Sequence, residues 1–189
     1  MTGARDAASL MNLVRRLEDE RLRARKILEE LLDNSLDRHE DEPVPREWRN
    51  VGFVQELSNA SAAQLTKDPR RATALAHLAV SACMNIPQDA YPAPVLSEAE
   101  ATAWRRLAQA AQYRSDYDNA LKALDAADRC LAPHASLGFD RALTGFVRAL
   151  VFSDLQRFNE SETLARESKR VFGEYGDRTC RATASCCGE

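Results

Sequence analysis

The chain places small side chains at regular helical intervals in the stretch AWRRLAQAAQYRSDYDNALKALDAADRCLAP, from Ala103 to Pro133. Alanine is the best helix former, so an isolated alanine needs no further explanation. Here, however, the alanines keep a constant register with Trp104, Tyr117 and several leucines. Small residues in that register let two antiparallel helices approach closely, and the bulky residues fill the angle between neighbouring pairs. The stretch therefore predicts one pair of packed helices within a stack of similar pairs.

The composition of the 189-residue chain agrees with a helical fold. The sequence is rich in Ala, Leu, Arg and Glu, which favour helices, and it has few β-branched runs. A hydrophobic content of 44% is enough to bury one core. We expect an all-α protein.

The N-terminal part of the chain predicts an amphipathic helix over residues 8–32. Its apolar stripe fits either a helix packed on its own domain or a short coiled coil, and we prefer the first because coiled coils need more uninterrupted heptads. The acidic segment that follows contains Pro43 and Pro45, so it predicts a linker, or alternatively a docking strip for a basic partner. The predicted domains are residues 1–47, the helix with its linker, and residues 48–189, the repeat domain with a C-terminal capping segment.

Further helices are located by helix-start signals and by breaks in the apolar pattern. Asp68 precedes a proline and can act as an N-cap acceptor. Ser97 with Glu100, and Asn159 with Glu162, have the spacing of a capping box. The predicted helices cover residues 51–65, 69–84, 97–114, 117–131, 139–155 and 160–172, which form three pairs.

The central pair resembles the tetratricopeptide repeat, a family whose pattern combines Trp, Leu-Gly, a spaced Ala and an aromatic residue. Ala108 replaces the family's glycine, Ala111 its tyrosine and Leu124 its later aromatic residue. Ala72 and Ser161 correspond to Ala120 in the flanking pairs, at spacings longer than the family period of about 34 residues. The whole span 49–177 resembles degenerate tetratricopeptide segments of bacterial multidomain regulators. The central positions that correspond to the pattern, the replaced ones included, are Trp104, Leu107, Ala108, Tyr117, Ala120, Leu124 and Ala127.

The resemblance implies an all-α fold built as an α-solenoid of about three helix pairs with an additional N-terminal helix. It also implies a regulatory or adaptor module that binds a peptide or partner helix in a concave groove lined by the first helix of each pair. On this reading Arg105 is exposed and contacts the partner. The alternative is a structural or assembly subunit, which oligomerises or docks on a larger enzyme complex through its N-terminal helix and third pair. The expected partner-binding residues are Arg105, Gln109, Gln112, Tyr113, Phe146, Leu150 and Asp154.

Several other classes of function are not favoured by the sequence. The formal net charge of -3, without a continuous basic stripe, gives no general attraction for nucleic acid or anionic lipid. No apolar stretch is long enough for a membrane span, and the N-terminus does not have the pattern of a secretory signal. We therefore expect a cytoplasmic protein with a protein partner or a second copy of itself as partner, and without nucleic-acid or membrane binding.

No motif in the sequence predicts catalysis, a cofactor or a metal ion. The chain has no phosphate-binding Gly-rich loop, nucleophile elbow or HExxH helix, so we predict that it is not an enzyme. Cys180, Cys186 and Cys187 lack the spacing of a zinc site. In a helix, Cys180, Ala184 and Cys187 share one face, which predicts a half-repeat cap on the last pair. Cys83 and Cys130 are expected to be small buried hydrophobic residues at helix ends.

Overall fold

The computed structural model describes the backbone of residues 2–33 and 44–176, and the side chains of residues 7–31 and 44–176. All regular elements in these ranges are helical, which confirms the all-α fold. Short 3-10 turns at Arg46–Trp48 and Ala135–Leu137 join some of the helices. The α-helices are α1 (Thr2–Asp33), α2 (Val51–Gln64), α3 (Pro69–Met84), α4 (Ala93–Tyr113), α5 (Tyr117–Leu131), α6 (Gly138–Asp154) and α7 (Phe158–Glu174).

Local capping contacts fix several helix starts. Asn50 Oδ1 accepts a hydrogen bond from Phe53 N at 2.8 Å, and Asp68 Oδ1 accepts one from Arg71 N at 3.0 Å. Asp116 caps α5 in the same way. Each contact satisfies a backbone donor that has no partner inside its own helix. The bounds predicted for α3 and α5 are confirmed, because their start signals act locally.

Three predicted helix starts are wrong. Helix α1 begins at Thr2 instead of residue 8. Helix α4 begins at Ala93 instead of residue 97, because prolines fit the first turn of a helix, where their missing N–H is not needed. Helix α7 begins at Phe158, so Asn159 lies inside the helix and does not cap it. The left-handed residue Gln156, with φ of 60°, turns the chain directly into α7. Ser115, with φ of 58°, makes the corresponding turn into α5.

The helices form consecutive packed pairs, α2 with α3, α4 with α5, and α6 with α7. Helix α3 packs on α4, α5 packs on α6, and the first helices α2, α4 and α6 also contact each other in that order. Ala72, Ala120 and Ala127 are fully buried, as predicted. Small side chains at these places allow the close approach of the helices. That the pairs are tetratricopeptide repeats stays a prediction.

The C-terminal half of α1 packs on α2 through apolar contacts and two buried carboxylates, Glu20 and Glu56. Glu20 accepts hydrogen bonds from Tyr91 Oη at 2.6 Å and from Gly52 N at 3.3 Å. A side chain at Gly52 would place its Cβ 2.7 Å from Arg21 N, so this close approach requires glycine. The N-terminal half of α1 leaves Leu10 61% exposed. Helix α1 therefore has a docked half and a half with an exposed apolar stripe.

The predictions for the acidic linker and for the C-terminal cap concern residues that the structure does not describe. The acidic segment and the cap that includes Cys180, Cys186 and Cys187 lie outside the described residues. The division of the chain into domains at residue 47 stays a prediction. Among the helices of the described ranges, none has the length and apolar character to cross a membrane.

Candidate functional site

Arg105, the central residue of the predicted binding surface, is buried. Its guanidinium donates from Nη1 to the carbonyl oxygen of Asp140 at 3.0 Å, and from Nη2 to Asp140 Oδ1 at 3.2 Å and to Thr102 Oγ1 at 2.9 Å. Burial lowers the pKa of Arg105, and the Asp140 carboxylate opposes that shift. The expected exposure of Arg105 is wrong because α6 covers this face of α4, and only 8% of the residue remains accessible. The ion pair connects α4 to α6.

A second polar contact between the same helices uses two other predicted residues. Gln112 Nε2 donates to Asp154 Oδ2 at 2.8 Å. Gln109 accepts a hydrogen bond from Arg106 Nη1 at 2.8 Å on the surface of α4 itself. The structure therefore brings Gln112 and Asp154 together, but as partners of each other.

The remaining predicted residues differ in exposure and in what they contact. Tyr113, at the end of α4, is 53% exposed. Phe146 and Leu150 are half-buried on α6, and the Phe146 ring lies edge-on to Phe172 with centroids 6.3 Å apart. Phe146 thus contributes to the packing of α6 on α7. Partner binding by these residues stays a prediction.

The opposite side of α4 forms the floor of an open groove between α3 and α5, with a volume of about 400 Å³. We term it the first groove. Trp104, Leu107 and Ala111 of α4 form its apolar floor, and Ala123 and Ala126 of α5 add small side chains beside it. Because alanine side chains do not reach across to α3, the space between the two helices stays open. The first groove can accept apolar side chains from another molecule.

The rim of the first groove is basic. Arg114, Lys122 and Arg129 line it and are exposed. Within the described part of the chain, none of the three has an ion-pair partner. The acidic side chain in the lining, Asp116, accepts hydrogen bonds from the backbone N and side-chain Nδ2 of Asn119. The groove therefore combines an apolar floor with cations that are free to bind an anion.

A second groove of about 430 Å³ lies between α5 and α7, above α6. Its floor has small residues, including Gly138, Ala142 and Gly145. Its cation Arg148 forms ion pairs with Asp125 at 2.9 Å and with Asp128 at 2.7 Å. The other cation of the second groove, Arg141, donates hydrogen bonds to the carbonyl oxygens of residues 131, 134 and 135, each at 3.1 Å. The positive charges of the second groove are thus bound internally.

The two cysteines with described positions are structural in character. Cys83 is buried near the end of α3, as predicted, whereas Cys130 near the end of α5 is only half-buried. Burial, reinforced by the charge of Glu100, raises the pKa of each thiol to about 12. Because the thiolate is the reactive form, both side chains are poor nucleophiles. No group of three His, Cys, Asp or Glu side chains in the described ranges is arranged to hold a metal ion.

Sequence reasoning did not single out Lys122 or Arg129. Their spacing of two helical turns, on an alanine-rich face of α5, is a signal that places both cations on one side of the helix. The separation of α3 from α5 and the lack of internal ion pairs could not be read from that spacing. The separation of α3 from α5 makes this face the wall of a groove, and the lack of ion pairs among the described residues leaves its cations available.

Comparisons with protein-family models, curated protein sequences and solved structures give no significant match. The function of the groove is therefore argued from its geometry and charge.

Proposed function

We propose that the protein is a protein-interaction module, and that it binds a peptide or partner helix in the first groove. The observation that carries this proposal is the apolar floor of the groove beside cations that have no ion-pair partner among the described residues. Binding sites are typically concave and mostly apolar, with a few polar groups that orient the ligand. A regulatory or adaptor role and a tetratricopeptide-like origin of the helix pairs belong to the same proposal. The free thiols of Cys83 and Cys130 favour a cytoplasmic location.

The first groove supports this function better than the surface predicted from the sequence. A partner that used Arg105 would have to break its contacts with Asp140 and Thr102. A buried charge that loses its partner is strongly destabilising. The cations Lys122 and Arg129 carry no such cost, because they are exposed.

The experiment is capture of partner proteins from the native cell by wild type and by two variants. One variant places a bulky side chain in the first groove, and the other places the same side chain outside both grooves. Thr73 lines the first groove on α3, and its Oγ1 donates to the carbonyl oxygen of Pro69 at 2.8 Å. Thr163 on α7 makes the same contact to Asn159 at 2.8 Å, but it does not line the second groove. Thr163→Trp is therefore a matched control for Thr73→Trp.

We expect wild type and Thr163→Trp to capture the same identified protein, and Thr73→Trp to lose it. Melting followed by circular dichroism verifies that both variants fold. Equal capture by the two variants would contradict binding in the first groove.

A second candidate, self-association, is favoured by the exposed stripe on α1. Leu10, Met11 and Val14 are 61%, 57% and 41% exposed. Apolar side chains grouped in this way are typical of contact surfaces. If they join two copies, light scattering will detect a dimer in wild type and a monomer in the Leu10→Glu/Val14→Glu variant. A wild-type monomer at all concentrations would rule this candidate out.

A further inference from the structure

We propose that the occupant of the first groove is an acidic segment of a partner protein, which places one or more apolar side chains on the groove floor. This inference rests on the proposed function and adds the chemistry of the partner.

The charge of the rim selects the sign of the partner. Lys122 and Arg129 lie two helical turns apart on α5, which separates them by about 10 Å along the helix axis. Arg114 adds a third cation at the end of α4. Asp116 carries one negative charge at the groove, but its carboxylate bonds to Asn119 and forms no ion pair with these cations in the described part of the chain, so the rim keeps an excess of positive charge. Carboxylates on consecutive turns of a partner segment could form charge-assisted hydrogen bonds with these cations.

The floor requires apolar groups between those carboxylates. Trp104 is half-buried, and its Nε1 donates to Glu100 Oε1 at 3.4 Å, so the ring is held while one part stays accessible. Ala123 and Ala126 leave the space above Leu107 unfilled. A wholly polar acidic segment would leave this apolar surface in water. An acidic segment with apolar side chains covers it and gains the free energy of burial.

The second groove does not offer the same recognition. Asp125 and Asp128 already bind Arg148, and Glu167 and Glu174 also line that groove. An acidic segment would meet these carboxylates there, and like charges at an interface are repulsive. The charge pattern therefore directs an acidic partner to the first groove.

The test is a selection from a phage library of random twelve-residue peptides on the full chain, after which the binding of each enriched peptide to Thr73→Trp is measured. We expect the enriched peptides to combine Asp or Glu with large apolar residues. Their affinity should fall at least about tenfold for Lys122→Glu/Arg129→Glu, because each reversal places like charges together. The loss should be smaller for Lys122→Gln/Arg129→Gln and should diminish at high salt.

The matched control is Lys26→Glu/Lys169→Glu, which changes the net charge equally at exposed positions outside both grooves. Its affinity should stay within about twofold of wild type, since long-range charge effects are screened by salt. Circular dichroism melts show whether each variant is folded.

The outcomes separate this inference from the proposed function. Enriched peptides that are neutral or basic, yet fail to bind Thr73→Trp, would overturn the acidic partner and leave the groove as the binding surface. Acidic peptides that bind Lys122→Glu/Arg129→Glu as well as wild type would also overturn the inference. Enriched peptides that bind Thr73→Trp as tightly as wild type would overturn both proposals. The absence of any enriched peptide would do the same.

Discussion

The first and second grooves have the same architecture and differ in what their cations bind. Each lies between the second helices of successive pairs, with a first helix as its floor. In the second groove, Arg148 is paired with Asp125 and Asp128. In the first groove, Lys122 and Arg129 are exposed and have no such partner among the described residues. Helix packing thus creates the space, and the pairing of charges decides whether a groove is free to bind.

Both grooves carry apolar surface. The first exposes part of Trp104 beside Leu107, and the second has Leu164, Val171 and Tyr175 in its lining. Apolar character therefore does not separate the two grooves. What separates them is that the cations of the first groove have no ion-pair partner among the described residues.

The largest expected effect concerns the ion pair between Arg105 and Asp140, which joins α4 to α6, the floors of the two grooves. Arg105→Glu should lower the free energy of unfolding by about 3 to 5 kcal/mol, because the new carboxylate would be buried against Asp140 without a cation. Chemical denaturation measures this change. The control, Arg114→Glu at an exposed position, should change stability by less than about 0.5 kcal/mol. Similar stabilities for the two variants would mean that Arg105 is exposed, as the sequence suggested.

A smaller effect tests whether the space in the first groove is open. Ala120 is fully buried between helices, so Ala120→Leu should overpack that contact and lower stability by about 1 to 3 kcal/mol. Ala126 borders the groove, so Ala126→Leu can extend into the open space and should cost less than about 0.5 kcal/mol. Thermal melts of both variants measure the difference. Equal losses would indicate that the groove is closed in solution.

The paired and unpaired cations can be compared directly. Arg148→Ala removes two ion pairs with half-exposed aspartates, and it should lower stability by about 1 kcal/mol or less. Lys122→Ala should leave stability almost unchanged but weaken peptide binding. Denaturation and binding measured on the same two samples provide the check. If Lys122→Ala lowers stability more than Arg148→Ala does, Lys122 has an internal partner and the contrast between the grooves fails.

The smallest expected effect comes from a charge cluster outside both grooves. Burial would raise the pKa of Glu56, but hydrogen bonds and charge from Arg25 and Arg21 outweigh it and lower the pKa below 4.5. The cluster therefore stabilises the docking of α1 above pH 4.5, and this contribution is lost as the pH falls through the folded-state pKa. The effect is small because both arginines are more than a third exposed to solvent.

The measurement is the difference in unfolding free energy between wild type and Glu56→Gln as a function of pH. The difference should be present at neutral pH and vanish in acid. Peptide binding to the first groove should be the same for both proteins at neutral pH. A stability difference that grows in acid would contradict the sign of this prediction.

Features that depend on neighbouring residues could be predicted from the sequence. The bounds of α3 follow from Asp68 and its proline, and the buried alanines Ala72 and Ala120 follow from helical register. The start of α4 was wrong because prolines both break helices and begin them, and the local sequence does not distinguish the two roles.

Features that depend on tertiary contacts could not be predicted in the same way. The burial of Arg105 results from Asp140, which lies 35 residues further along the chain. The first groove likewise requires α3 and α5 to stand apart above α4, and spacing within one helix carries no information about that separation. The helical architecture was therefore accessible from the sequence, while the surface that is free to bind was not.

Amide hydrogen exchange of the protein with and without an enriched peptide tests the central claim most directly. Bound peptide should slow exchange by restricting local opening of the helices that it covers. The account predicts new protection in α3 around residues 73–77 and in α5 around residues 119–129, with α7 unchanged. Protection confined to α6 and α7, or to α1, would contradict binding in the first groove.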